Sequence, residues 1–282
     1  MTDHASTGFL GRNEFLIRRL HSLSGLIPVG AYMVVHLVVN ASVNNGAMTY
    51  QKAVDQIHSL GIVLPLVEWL FIFLPLIFHT VIGVMIIQGG LPNTGRYQYG
   101  ANIRYTMQRA SGMVAMVFIL FHVLQMHGLF HFEWWLDAVV RPWGGARFAP
   151  LNATSTAAEA MQQSVVVSLF YLVGILSCVF HLANGLWTMG ITWGVWITPA
   201  AQRRAGVVCL VFGIGLALVS LGAWSGFTML SDEDIKAARQ LEDRRIEERV
   251  KSGDLDLERD GHKRAGHGHD ESAVSQGDAA SE

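Results

Sequence analysis

The sequence predicts an all-α integral membrane protein with five transmembrane helices. Two observations carry that prediction. Hydrophobic residues make up 51% of the 282-residue chain, and its charged residues are segregated between long stretches that hold almost none. A run of about 20 apolar residues crosses a bilayer core of about 30 Å. In lipid, only helices and closed barrels satisfy the backbone, and these runs are long and lack the alternation of barrel strands.

The five spans fall at 22–40, 61–88, 110–130, 164–193 and 205–227. They divide the chain into a cytoplasmic N-terminal segment (1–21), a transmembrane domain (22–229) and a charged C-terminal tail (230–282). The second span is long enough to need tilt. The N-terminal stretch is not expected to act as a cleavable signal peptide, because Asp3, His4 and Glu14 interrupt it. The longest loop between spans carries Trp134, Trp135 and Trp143, residues suited to a membrane interface. In the tail, 232–250 reads as a charged helix, and the polar end as disordered. The histidines of that end, His262, His267 and His269, read as solvated. Cys178 and Cys209 lie inside apolar runs and read as small core residues. A net charge of −2 gives no reason to expect a nucleic-acid partner.

Orientation follows from Lys and Arg in the short loops. Arg12, Arg18, Arg19, Arg96, Arg104, Arg109, Arg203 and Arg204 lie on one side, against Lys52, Arg141 and Arg147 on the other. The N-terminus is therefore expected in the cytoplasm and the C-terminus outside.

Four histidines, His36, His79, His122 and His181, lie one in each of the first four spans. A histidine in a membrane helix is costly without a partner. A rise of about 1.5 Å per residue puts His36 about 25 Å and His122 about 20 Å from the cytoplasmic edge. The same rise puts His79 about 16 Å and His181 about 18 Å from it. The four group into an outer pair, His36 with His122, and an inner pair, His79 with His181. Two pairs at two depths suit bis-histidine ligation of two stacked b-type haems inside a bundle of the first four helices. Each imidazole would give a neutral nitrogen to iron and donate its other N–H to a partner.

Glycines repeat around these histidines. The second and fourth spans read FHTVIG and FHLANG, placing Gly83 and Gly185 one turn from His79 and His181. Ser24-Gly25 precedes His36 and Ser111-Gly112 precedes His122, about three turns below. A missing side chain lets a flat macrocycle approach the backbone, and packing glycines are the alternative. A structural zinc site would want ligands at shorter spacing. A haem-free transporter, with Pro28, Pro65 and Pro75 breaking helices and the histidines relaying protons, stays open.

The segments RRLHSLSGLIPVGAYMVVHLVVN, EWLFIFLPLIFHTVIGV, GRYQYG, MQRASG and LVGILSCVFHLANGLWTMGITWGVWITPAAQR resemble the five-span, di-haem cytochrome b anchor of succinate dehydrogenase and fumarate reductase. This is the single-anchor type of Gram-positive bacteria. The resemblance spans about Arg12 to Phe227, and all four histidines match the family's haem-ligand positions with the same pairing. It implies a bacterial cytoplasmic membrane, a flavoprotein partner with covalent FAD, and an iron–sulfur partner. Electrons would enter at the inner haem (His79, His181) and reach a quinone, usually menaquinone, near the outer one (His36, His122).

In that frame Glu68, the one acid clearly inside a span, is a candidate for proton exchange with a quinol. Capping or solvent exposure near the helix start is its alternative reading. Arg19 and Arg109, at the cytoplasmic ends of the first and third spans, are candidates for neutralising haem propionates. The tail beyond Leu230 departs from the family pattern. A cytochrome b anchor of a hydrogenase or formate dehydrogenase is the nearest alternative, and co-purifying subunits decide it.

Overall fold

The computed structural model describes residues 12–89, 95 and 99–264. Arg96, the N-terminal residues 1–11 and the polar end with His267 and His269 lie outside the described residues. The described residues are helical and contain no strand. Five helical stretches are long and apolar enough to cross a membrane: Glu14–Asn45, Gly61–Gln88, Gly100–His127, Val165–Thr192 and Pro199–Thr228. They coincide with the five expected spans. The first and third begin earlier than expected, at 14 rather than 22 and at 100 rather than 110. The helical stretches continue past their apolar runs, with Arg18 paired to Glu14 and Arg104 donating to Asn184.

The first span is two helices, α1 (Glu14–Leu26) and α2 (Pro28–Ala41). Pro28 opens the second because it has no N–H to donate to the turn before it. A short helix α3 (Ala47–His58) follows. The second span comprises α4 (Leu64–Glu68), a π-helical turn (Trp69–Phe73) and α5 (Leu74–Gln88). Pro65 and Pro75 sit in the first turns of α4 and α5, where a missing N–H costs nothing. The third span is α6 (Gly100–His122) with a π-helical turn at Val123–His127. Helix α7 (Ala153–Met161) lies in the long loop, and α8 (Val165–Thr192) and α9 (Pro199–Thr228) are the fourth and fifth spans. Helix α10 (Asp232–Lys251) covers the stretch expected to be a charged helix.

The chain forms two compact units. The first holds the described residues up to Val38, together with Ile62–Ile119 and Leu172–Leu221. Its core joins Leu37 of α2, Val179 and Leu182 of α8, and Leu216 of α9. Large apolar side chains of the spans face outward: Phe71 is 60% and Val211 64% exposed. Exposure on that scale is what a lipid surround accommodates and water does not.

The second unit holds Val39–Gly61, Leu120–Tyr171 and the described residues from Gly222. Helix α7 is almost wholly enclosed, with Ala153, Ala158 and Ala160 at 0% exposure. Helix α10 buries Ile235, Ala238, Glu242 and Ile246, a stripe at helical spacing, so its charged sequence conceals a packed face. Glu242 accepts from the backbone N–H groups of Thr154 and Ser155 and from the Ser155 hydroxyl. Those N–H groups belong to the first turn of α7, where a helix has unpaired donors and the positive end of its dipole. Burial nonetheless holds the Glu242 carboxyl above its usual range. Gln51 of α3 accepts from the Ala153 N–H and donates to Asp55 and to the Pro150 carbonyl. Asp55 also pairs with Arg245 at 2.8 Å and Arg249 at 3.5 Å. Burial lowers the pKa of His58, at the end of α3. Ser231 and Asp234 form a capping box that starts α10, and the Ser231 hydrogen bonds hold Asp234 below its usual range.

Candidate functional site

The first unit brings His79 of α5 and His181 of α8 together. Their ring centroids lie 6.0 Å apart and their planes cross at 87°. An imidazole nitrogen binds a metal at about 2 Å and its ring centre lies about 1 Å farther, so two imidazoles on opposite sides of one iron have centroids about 6 Å apart. The observed pair has that separation.

The protonation of each ring follows from its partner. His79 Nδ1 lies 2.8 Å from the backbone carbonyl of His21. His181 Nδ1 lies 3.0 Å from the carbonyl of Gln108. A carbonyl only accepts, so each Nδ1 carries the proton and each Nε2 keeps its lone pair. That is the tautomer in which a neutral histidine ligates a metal through Nε2. His21 also stacks on His79, with centroids 4.1 Å apart and planes within 9°. Around His181, the Gln108 amide donates to the His181 carbonyl and accepts from Asn184, and Asn184 accepts from Arg104.

The four glycines fit around these rings. A Cβ on Gly25 would fall 2.2 Å from His79 Cε1, and one on Gly112 would fall 2.8 Å from His181 Cε1. These glycines therefore lie against the inner-pair histidines, although they precede the outer-pair histidines in sequence. Gly83 faces His21, whose Nε2 would be 3.2 Å from an added Cβ, and Gly185 faces the Gln108 amide at 3.4 Å.

Arg19 donates to the Thr192 carbonyl at 3.0 Å and lies over the Phe15 and Trp193 rings. Arg109 donates to the Ile86 carbonyl at 2.9 Å and lies over Tyr105. Both carbonyls belong to the last turn of a span, where a cation offsets the negative helix end. Each guanidinium carries five donors in a planar fork, the type of group that pairs with an anion. Glu68 ends α4, half-buried, immediately before the π-helical turn. His36 stacks on Tyr32 at 5.5 Å in the same unit.

His122 belongs to the second unit. Its Nδ1 lies 3.2 Å from the Tyr171 hydroxyl, which donates to Gln125 Oε1 at 2.6 Å. The sequence places His21 and Gln108 only at the cytoplasmic ends of the first and third spans, with no role toward the histidines, and gives none to Tyr171 and Gln125. Polar residues inside the expected spans were the available signal for Tyr171 and Gln125. No metal-binding cluster of three or more His, Cys, Asp or Glu occurs among the described residues. A bis-histidine site has only two protein ligands and does not depend on such a cluster.

No family model matches the chain. The chain is 36% identical over 217 residues, 77% of its own length and 98% of the relative's, to the succinate dehydrogenase cytochrome b558 subunit of Bacillus subtilis (strain 168).

Proposed function

The chain belongs to the family of succinate dehydrogenase cytochrome b subunits, and on that premise we propose that it is the membrane-anchor and electron-transfer subunit of a succinate:quinone oxidoreductase. In this reading it connects an iron–sulfur subunit, itself served by a flavoprotein with FAD, to a quinone of the menaquinone type. The observation that carries the reading is the inner pair: His79 and His181 at 6.0 Å, each with Nδ1–H directed at a backbone carbonyl.

His79 and His181 would hold an inner haem b, and His36 and His122 an outer one, within the first four spans. One-electron carriage is the chemistry that haem supplies when bound. The residues around it bind and orient. Gly25 and Gly112 give the inner imidazoles room to stand against the backbone. Gly83 and Gly185 keep His21 and Gln108 close to them. Arg19 and Arg109, at helix ends on the side expected to be cytoplasmic, carry the guanidinium charge that would neutralise propionates. Glu68 lies in the half of its span expected to face outward, where a carboxylate exchanges protons with a quinol. The N-terminus is cytoplasmic in this reading, which follows the arginine distribution. Residues 22–229 are then the membrane domain, flanked by the segment 1–21 and the tail 230–282.

The test is a reduced-minus-oxidised optical spectrum of the chain purified with its partners. Two b-type signals are expected, with a flavoprotein of succinate dehydrogenase type in the preparation. A flavin-free hydrogenase or formate dehydrogenase partner, or the absence of b-type absorbance in assembled protein, refutes it. For the proton role, Glu68→Gln is expected to slow quinone reduction and alter its pH profile; an unchanged profile refutes that assignment.

A further inference from the structure

The geometry points to Tyr171 and Gln125 as positioning residues that fix the tautomer and donor strength of His122 toward iron. The inference rests on the reading of His122 as an axial ligand. It concerns a relay of side chains within the second unit.

The direction of each hydrogen bond follows from its fixed end. Gln125 is 4% exposed, and its Nε2 donates to the Ala160 carbonyl at 3.1 Å and to Gln163 Oε1 at 3.3 Å. Both partners are acceptors, so the NH₂ end of the amide faces them and Oε1 faces Tyr171. Tyr171 is 3% exposed and its hydroxyl has one proton, given to Gln125 Oε1 at 2.6 Å. The phenol oxygen then has only lone pairs for His122, so His122 Nδ1, at 3.2 Å, is the donor. Nε2 is left with its lone pair, the form that ligates. The π-helical turn Val123–His127 directly follows His122 and contains Gln125, so one irregular turn brings both residues to the same hydroxyl. Ala160 and Gln163, at the end of α7 and just beyond it, hold the far end of the relay. The long loop thereby reaches the ligand through three side chains.

An imidazole that donates its N–H to an acceptor is a more basic ligand. More basic ligation favours the ferric state, so removing the acceptor raises the midpoint potential.

The experiment is a redox titration of the assembled complex in membranes, following the two b-type absorbances. Tyr171→Phe is expected to keep both haems, raise the outer midpoint and leave the inner one in place. Gln125→Leu, which frees the Tyr171 proton, is expected to give a smaller rise. The double variant is expected to match Tyr171→Phe alone, because Gln125 acts only through that hydroxyl. An unmoved outer midpoint in both single variants overturns the proposal, as do additive shifts or an equal shift of the inner haem. If Tyr171→Phe loses the outer haem, the Gln125→Leu shift decides, an unmoved outer midpoint overturning the proposal. His122→Ala separates the two levels: retention of both haems refutes the ligand reading itself. Loss of one haem in His122→Ala, with unmoved midpoints in the relay variants, refutes the relay alone.

Discussion

His79 and His181 in the first unit and His122 in the second are oriented by different means. The first two donate to backbone carbonyls, of His21 and Gln108. The third meets a side-chain hydroxyl, held in turn by a side-chain amide. A backbone carbonyl survives every substitution that leaves the helix path intact, so the inner tautomer depends on where the helices run. The outer tautomer depends on the identity of two residues. The same requirement, a neutral imidazole with the proton on Nδ1, is met robustly in one place and adjustably in the other. This contrast predicts that ordinary substitutions at His21 and Gln108 spare the tautomers of His79 and His181, whereas Tyr171 and Gln125 are sensitive positions.

The largest expected effect comes from removing a proposed ligand. His79→Ala or His181→Ala should abolish one b-type signal while sparing the other, as read in the difference spectrum. Loss of both signals, or of neither, breaks the pairing of these two residues. Next is the space beside each inner ring. Gly25→Val should displace His79, since even a Cβ meets its ring at 2.2 Å; inner-haem content in purified protein reports it. Gly83→Ala, with 3.2 Å to His21 Nε2, should cost much less.

Stability of the second unit sharpens the comparison further. Glu242→Leu leaves the Thr154 and Ser155 N–H groups without their acceptor and should destabilise the packing of α7 on α10 by about 3 kcal/mol. Hydrogen exchange of α7 amides measures this, with both b-type signals expected to stay. Ser231→Ala removes the capping box of α10 and should cost about 1 kcal/mol, read by the same exchange in its first turn.

The smallest effect is a pH dependence. Burial raises the Glu242 pKa in the folded chain above its ordinary value of 4.5. The protonated form is therefore favoured by folding relative to the unfolded chain. The resulting contribution to stability is complete below the ordinary carboxylate range and declines as pH rises through the raised folded value. Glu242→Gln should flatten that slope in unfolding curves; an unchanged slope assigns it to other groups.

Much of this was legible in sequence because its physics is local. Twenty apolar residues span a bilayer wherever they occur, and His36, His79, His122 and His181 stood out because a histidine in such a run needs a partner. The helical character of 232–250 was legible from its charge pattern. Its packing was not: Ile235, Ala238 and Ile246 are too few to announce a buried face among so many charges. Gly25 and Gly112 were recognised as sites of close approach, but sequence distance linked them to His36 and His122. The fold places them against His79 and His181, because the neighbour of a glycine is set by helix packing.

The sequence by itself determined the membrane class, the five helices and the residue types able to ligate, since these depend on composition and on rise per residue. Tertiary structure alone decided which atom orients each ring. It directed the carbonyls of His21 and Gln108 at His79 and His181, and set the Tyr171–Gln125 relay behind His122. A hydrogen bond is made at about 3 Å and fails about half an ångström beyond, and no spacing along one chain specifies the distance between two helices that finely.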